Sequence, residues 1–306
     1  MKFYVAITDW EWFKHLKGIA PDELNFWQPT ATSAFRVLSP GEPLLFKLHS
    51  PRNFVVGGGF FSHYTVLPVS YAWATFGIKN GAQTEEEMRS RLERYRKIPP
   101  NLEEDYQIGC ILLQSPFFFE QDEWIPASDW RREIVRGKSY STDEEAGFRL
   151  WSEVEIRLHG KSAKESEVVS ISGPRFGEPQ TVFPRLGQGA FRVIVTDSYK
   201  RRCAVTGSHI LHVLEAAHIR PYGKGGSHDP SNGLLLRQDV HTLFDRGYLT
   251  ITRDYRLEVS GRIKSEFDNG KEYYSLRGNM ISVPDSPALQ PSADQIAWHN
   301  ERVFRS

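Results

Sequence analysis

Apolar and polar positions divide the chain into short runs with different periods. Phe3-Tyr-Val-Ala-Ile-Thr, Pro43-Leu-Leu-Phe-Lys-Leu and Phe54-Val-Val-Gly-Gly-Gly-Phe-Phe each read as β-strand. The turn-rich His49-Ser-Pro-Arg-Asn separates the second from the third. Three consecutive glycines inside a strand pattern predict a bulge, or a corner that another chain or ligand approaches closely. Residues Glu85–Lys97 carry Met88, Leu92 and Tyr95 on one face, with acids early and basic residues late, and so predict a helix. Tyr106–Gln114 reads as a buried strand running into Pro116-Phe-Phe-Phe.

Residues 160–186 are polar and rich in Gly and Pro, as a linker is, with a short strand expected at Val168–Ile171. A helix is predicted from Gln188 to Arg202, with Phe191, Val195 and Tyr199 facing inward. Next comes an apolar, strand-like run (Val213, Leu214, Ala216, Ala217) closed by His218, and then the turn formers Pro221, Gly223, Gly225 and Gly226. Beyond Asn232-Gly233, the residues Leu235, Leu236, Val240, Leu243 and Phe244 recur at helical spacing until Gly247 stops them. Thr250–Glu258 is predicted as one strand, and Tyr273–Val283 continues a β pattern. Ser292 with Gln295 has the form of a capping box. A terminal helix should follow it, packing Ile296, Trp298 or Val303, with His299 on the surface.

Composition narrows the class. A chain of 306 residues has room for two domains, and 40% hydrophobic residues with 13% aromatics can bury real cores. The expected division is residues 1–160, a linker over 161–186, and residues 187–306. Formal net charge is zero, so any nucleic-acid surface must come from local clustering. Arg192, Arg201 and Arg202, with Arg185 and Lys200 nearby, form such a cluster and are candidate phosphate contacts. Two cysteines without a Cys-x-x-Cys exclude a disulfide framework, and no structural zinc is expected. The N-terminus shows no apolar signal core and no apolar run reaches membrane-spanning length. The expectation is a cytoplasmic protein with no membrane partner.

Chemistry concentrates between Arg202 and Ile251. Cys203-Ala-Val-Thr-Gly, Ala217-His-Ile, Asn232-Gly-Leu-Leu-Leu and His241-x-Leu-Phe-Asp stand in one order, with His218 at a strand end, Asn232 in a loop and His241 on a helix. This resembles the HNH endonuclease family, whose fold is two antiparallel strands and a helix gripping one divalent metal. The resemblance implies phosphodiester hydrolysis with His218, Asn232 and His241 as catalytic residues. His218 would be the general base, since a neutral imidazole with an ordinary pKa of about 6.5 suits proton abstraction from water near neutral pH. His241 would be the first metal ligand, and Asn232 would brace the loop. Many HNH proteins place an aspartate ligand directly before the base, where this chain has Ala217. The second ligand is therefore open among Asn232, Asp229, Glu215 and Asp245. Oxygen donors with one imidazole point to Mg²⁺, with Mn²⁺ as the alternative.

The first half suggests a second resemblance. Phe3–Thr8, Asn25-Phe-Trp-Gln-Pro (as a loop), Gly41-Glu-Pro-Leu-Leu-Phe and the glycine-bearing strand together are similar to the PUA-like superfamily of EVE, ASCH and YTH modules. The implied fold class is α+β, with an N-terminal PUA-like β-barrel flanked by helices and a C-terminal ββα-metal domain. Members of the superfamily hold a flipped, modified base among aromatic side chains. Trp10, Trp12, Trp27, Tyr64, Trp73 and Phe76 lie in segments able to converge on such a pocket, Trp27 and Trp73 ranking first. Together the two resemblances imply a modification-dependent restriction endonuclease that acts on double-stranded DNA carrying a modified base. A one-metal site cuts one strand, so a homodimer is expected. The competing expectations are an N-terminal domain that reads plain sequence or a protein partner, and a DNA-binding protein whose catalysis has lapsed.

Overall fold

The computed structural model describes residues 1–31, 34–96, 104–131, 133–134, 136–165 and 186–306, with backbone alone for 159–165. The strand expected at Val168–Ile171 lies outside the described residues. The chain divides into two compact units, Met1–Arg185 and Leu186–Ser306.

The first unit is built on one mixed sheet. Its strands are β1 (Lys2–Thr8), β2 (Glu23–Gln28), β3 (Pro43–Leu48), β4 (Phe54–Pro68), β5 (Gln107–Phe118), β6 (Ile125–Pro126) and β7 (Gly137–Ser141). The order is β2-β5-β4-β3-β1-β7, with β6 paired to β4 and only β1 and β3 parallel. The α+β class holds, but this order does not return on itself among the described residues, so the expected barrel is an open sheet. The helices are α1 (Trp10–Ile19), α2 (Val69–Phe76), α3 (Glu85–Arg96) and α4 (Glu145–Glu165). Helix α4 runs through residue 160, where the sequence reading ended the first domain, to Glu165.

Strand alternation sends the two side-chain sets to opposite faces. Leu44, Phe46 and Leu48 of β3 join Ala6 and Val56 beneath Trp12, Phe13 and Leu16 of α1. Leu45, with Phe3, Val5 and Val55, packs under Leu150 and Val154 of α4. All six residues of β3 are buried because both faces are covered. Asp9 starts α1 by accepting from the backbone N–H groups of Glu11 (2.8 Å) and Trp12 (3.1 Å). The predicted bulge is present: the register of β4 shifts between Gly58 and Phe60, and a Cβ on Gly57 would strike the Phe117 carbonyl. The close neighbour is thus another strand of the same sheet. Asn25-Phe-Trp-Gln, expected as a loop, is strand β2, held antiparallel against β5.

The second unit centres on a hairpin. Strands β8 (Leu214–His218) and β9 (Gly233–Arg237) pair antiparallel, with His218 opposite Gly233. Helices α5 (Gln188–Ser198) and α6 (Gln238–Asp245) pack against this pair. Leu235 and Leu236, expected to open the helix, belong to β9 with Leu234; an apolar triplet satisfies either period, and pairing with β8 decided it. Thr250–Glu258, expected as one strand, is a hairpin of β10 (Leu249–Ile251) and β11 (Leu257–Val259), turned at Tyr255 with φ 57°. The β pattern expected over Tyr273–Val283 fails too. After α7 (Arg262–Phe267), helix α8 (Lys271–Tyr274) takes its start, and a single bridge joins Met280 to Arg256.

The terminal helix, α9 (Ala293–Arg302), buries Ile296 as expected, but Ser292 makes no side-chain cap. His299 is a core residue and not a surface one. It is 2% exposed, stacks on Phe244 at 3.8 Å, and lies 2.8 Å from the Thr250 hydroxyl. Its Nε2 donates to the Phe244 carbonyl at 3.1 Å.

Candidate active site

His218 ends β8, where pairing with Gly233 fixes its backbone. A Cβ at Gly233 would lie 2.5 Å from Val195 Cγ2 and 3.0 Å from Phe191 Cζ, so the missing side chain lets α5 approach. Phe191 then stacks on the His218 ring, with centroids 4.1 Å apart and planes 10° from parallel. Burial, with His228 and His241 nearby, pushes the imidazole down to about 4. The ring is neutral at pH 7 and keeps a lone pair for a proton.

His218 Nε2 lies 3.0 Å from His228 Nδ1, and Tyr222 stacks on His228 at 4.7 Å. Sequence reasoning did not single out His228. It sits in a glycine-rich loop ten positions after His218, and only folding of that loop brings the rings together.

Asn232 is buried and every polar atom of its amide is taken. Oδ1 accepts from the Arg220 N–H, while Nδ2 donates to the carbonyls of Arg220 and Ser227, all at 2.9 Å. The Ile219 N–H bonds back to the Asn232 carbonyl at 2.9 Å. Asn232 thus closes the loop that follows His218. Asp229 Oδ1 accepts from the Ser231 N–H (2.8 Å) and hydroxyl (2.7 Å) as a helical-turn cap. This geometry ties the Asn232 amide to the loop after His218 and leaves Asp229 Oδ2 outside the cap.

His241 projects from α6 between two carboxylates. Its Nδ1 is 2.6 Å from Glu215 Oε2, and its Nε2 is 3.3 Å from Asp245 Oδ2. Burial raises the Asp245 carboxyl; His241 opposes that rise and Glu215 adds to it. Two acids crowding one imidazole form the donor chemistry of a hard divalent cation: oxygens, one nitrogen and surplus negative charge. Among the described residues, however, no group of three His, Cys, Asp or Glu is spaced to hold a metal by itself. His241, Glu215 and Asp245 would be the residues to hold such an ion, with water completing its shell. Helical spacing made Asp245 legible beside His241, and strand alternation placed Glu215 on the facing surface.

The basic cluster is partly committed within the unit. Arg201 Nε is 3.3 Å from Asp197, Arg192 is half-buried on α5 with partners of its own, and Arg202 is exposed. Cys203 accepts from the Thr206 (3.4 Å) and Arg237 (3.3 Å) N–H groups and is a free, buried thiol.

The first unit holds a cavity of about 680 Å³ on the α1 face of its sheet. Tyr4, Trp12, Phe26, Trp27, Phe35 and Tyr95 line it, together with Asp9, Gln28, His49 and Arg136. The Tyr95 hydroxyl donates to Asp9 at 3.2 Å, and burial with the nearby Asp9 pushes it up to about 12. Trp27 Nε1 donates to the Asn80 carbonyl at 2.9 Å, which fixes the ring.

Of the six expected pocket residues, Trp12 and Trp27 line this cavity. Trp10 instead packs tilted against Phe13 and edge-on against Trp124, with the Arg52 guanidinium 4.4 Å over its ring. Tyr64 carries its hydroxyl over Gly109. Trp73 and Phe76 lie on α2, no residue of which lines the cavity.

Residues 203–252 match the family model described as HNH endonuclease, so the second unit carries an HNH endonuclease segment. No curated protein matches the sequence. Among solved structures, the chain is similar to an ASCH protein from Zymomonas mobilis (11% identity, 49% of this chain and 94% of that one, TM-score 0.32). A point mutant of that protein gives 12% identity, 50% and 98% coverage, and TM-score 0.33. The modification-dependent TagI restriction endonuclease is similar at 15% identity over 93% of this chain and 76% of that one, with TM-score 0.30. Among the described residues no helix is long and apolar enough to cross a membrane.

Proposed function

We propose that this protein is a DNA endonuclease in which the first unit reads a modified base and the HNH segment cuts. The observation that carries the nuclease reading is the pairing, inside the matched segment, of a neutral strand-end histidine with an acid-flanked helical histidine. His218 takes the proton of the attacking water. Asn232 keeps the loop after His218 closed, which sets the ring's direction into the cleft. His241, with Glu215 and Asp245, would hold Mg²⁺ or Mn²⁺, which supplies Lewis-acid stabilisation of the phosphate and the leaving oxygen. Arg202 with Arg192 and Arg201 would meet backbone phosphate.

The reader role rests on the aromatic cavity. About 680 Å³ is ample for one base, and Trp27, Phe35 and Tyr95 offer ring faces at roughly 1–3 kcal/mol per stacked base. That gain balances the few kcal/mol that flipping costs. Because a one-metal site cuts one strand, a double-strand break takes two such sites or two visits, and two copies of the chain on DNA would supply the first. A second reading, in which the cavity takes an ordinary base, is favoured by the fact that four of the six expected cage residues lie elsewhere.

Plasmid cleavage tests both levels. Substrates with and without cytosine or adenine modification are incubated with Mg²⁺ or Mn²⁺, using the full chain and its His218→Ala variant. Modified DNA should be cut, and cut only by the parent protein. Equal cutting of both substrates replaces the first reading with the second, and no cutting under any condition ends the nuclease reading.

A further inference from the structure

The histidine in the loop after β8, His228, has no part in the reading above. We propose that His228 is a positioning residue that locks His218 in the tautomer with its proton on Nε2 and its Nδ1 bare. It would also share the charge when His218 takes a proton. The rate consequence rests on the nuclease reading; the tautomer consequence does not.

The argument begins with the 3.0 Å contact between His218 Nε2 and His228 Nδ1. At that distance one nitrogen donates and the other accepts, so the pair holds a single proton along the contact. Either His218 donates through Nε2–H, or His228 donates through Nδ1–H. In the second arrangement the proton of neutral His218 sits on Nδ1, and the ring has no lone pair left for water. In the first, Nδ1 is the free base.

Intrinsic preference selects the first arrangement, because neutral imidazole side chains favour the proton on Nε2. His218 donating to His228 leaves both rings in that form, with the His228 Nε2–H directed away from the contact. The reverse would force both rings into the disfavoured one. The tautomer of one ring is set by the hydrogen bond its other nitrogen makes, so the pair acts as a unit.

The contact is also built to persist. Phe191 stacks on His218 at 4.1 Å and 10°, and Tyr222 stacks on His228 at 4.7 Å and 8°. The two imidazoles are held between these rings with their centroids 5.1 Å apart. Asn232 closes the intervening loop through Arg220 and Ser227, the residue before His228.

When water gives up a proton, the bond O–H breaks and N–H forms at Nδ1, while the hydroxide bonds to phosphorus, the P–O bond to the departing sugar oxygen breaks, and that oxygen takes a proton from solvent. His218 is then an imidazolium donating through Nε2 to a neutral acceptor. Such charge-assisted hydrogen bonds are roughly twice as strong as neutral ones, so His228 favours the protonated state more than the resting one. The proton returns to solvent when the base resets.

The test reads the tautomer directly. The full chain is labelled with ¹⁵N-histidine, the His218 signals are identified by their loss in His218→Gln, and the protonated nitrogen is read near neutral pH. The parent and His228→Asn, whose amide oxygen stands near the place of Nδ1, should both carry the His218 proton on Nε2. His228→Leu should show mixed tautomers. On DNA, His228→Leu should lose about tenfold in kcat with KM unchanged, while His228→Asn recovers most of the rate. A His218 proton on Nδ1 in the parent, or a tautomer unchanged in His228→Leu, overturns the proposal. If the tautomers behave as stated but the parent does not cut DNA, the positioning role stands and the nuclease reading fails.

Discussion

Replacing Asn232 separates a brace from a metal ligand, and the structure sets the size of each effect. Asn232→Ala deletes three hydrogen bonds of 2.9 Å, two to Arg220 and one to Ser227, at a residue 1% exposed. Each is worth about 1 kcal/mol net, and leaving a buried partner unpaired costs about 1–3 kcal/mol. The flanking loop is exposed, so water can reach part of the vacated set. The expected loss is about 2–4 kcal/mol for the second unit, read by urea denaturation.

Asn232→Asp sharpens the test. The new carboxylate can still accept from the Arg220 N–H but sets a negative charge against the two carbonyls that Nδ2 served. A brace therefore predicts that Asp destabilises and slows cleavage as Ala does, with the half-saturating metal concentration changed less than the rate. A ligand predicts the opposite, since a carboxylate in place of an amide tightens a divalent-ion site. Tighter Mn²⁺ binding in Asn232→Asp, with stability unchanged, would refute the bracing argument.

His218→Ala should lower cleavage by about 10²–10⁴ while binding DNA normally; a smaller loss removes it as general base. His241→Ala and Glu215→Gln should each raise the Mg²⁺ or Mn²⁺ concentration for half-maximal rate, measurable also as weaker Mn²⁺ binding by calorimetry, and an unchanged requirement removes them from the metal set. Burial holds the His299 imidazole down at about 4, against about 6.5 in the unfolded chain, so the fold favours its neutral form. The unfolded chain takes up the proton first. That stability is therefore complete above about pH 6.5, declines as pH falls, and is gone below about 4, amounting to about 3 kcal/mol across the window. Urea midpoints should follow that slope in the parent protein and flatten in His299→Gln, with His218 contributing the remainder. Trp27→Ala should reduce any preference for modified over plain DNA by about 1–3 kcal/mol in competition binding, whereas Trp73→Ala should not.

Much of the local structure was legible because one period governed it. Strand β1, helix α3 and the start of α5 follow alternation or a helical stripe. Where two periods fit the same letters, only tertiary pairing decided: Leu234–Leu236 became strand through β8, and Tyr273-Tyr274 became helix although their side chains suit a sheet. His299 looked like a polar residue near a chain end, and its burial follows from α9 docking on Phe244 and Thr250. The order of His218, Asn232 and His241 was visible because a short motif keeps chemistry and spacing together. His228 was not, since it meets His218 only when the loop closes, and Glu215 stood only as one of four candidates until the hairpin and α6 brought it to His241. The aromatic cavity shows the same division. Composition announced many large rings, but which of them face one space depends on sheet order, and that order sends Trp27 and Tyr95 inward while Trp10 and Trp73 go elsewhere. Sequence alone determines what each short segment can be; the contacts between segments distant in the chain determine which side chains meet, because a hydrogen bond or ring stack acts only at contact distance.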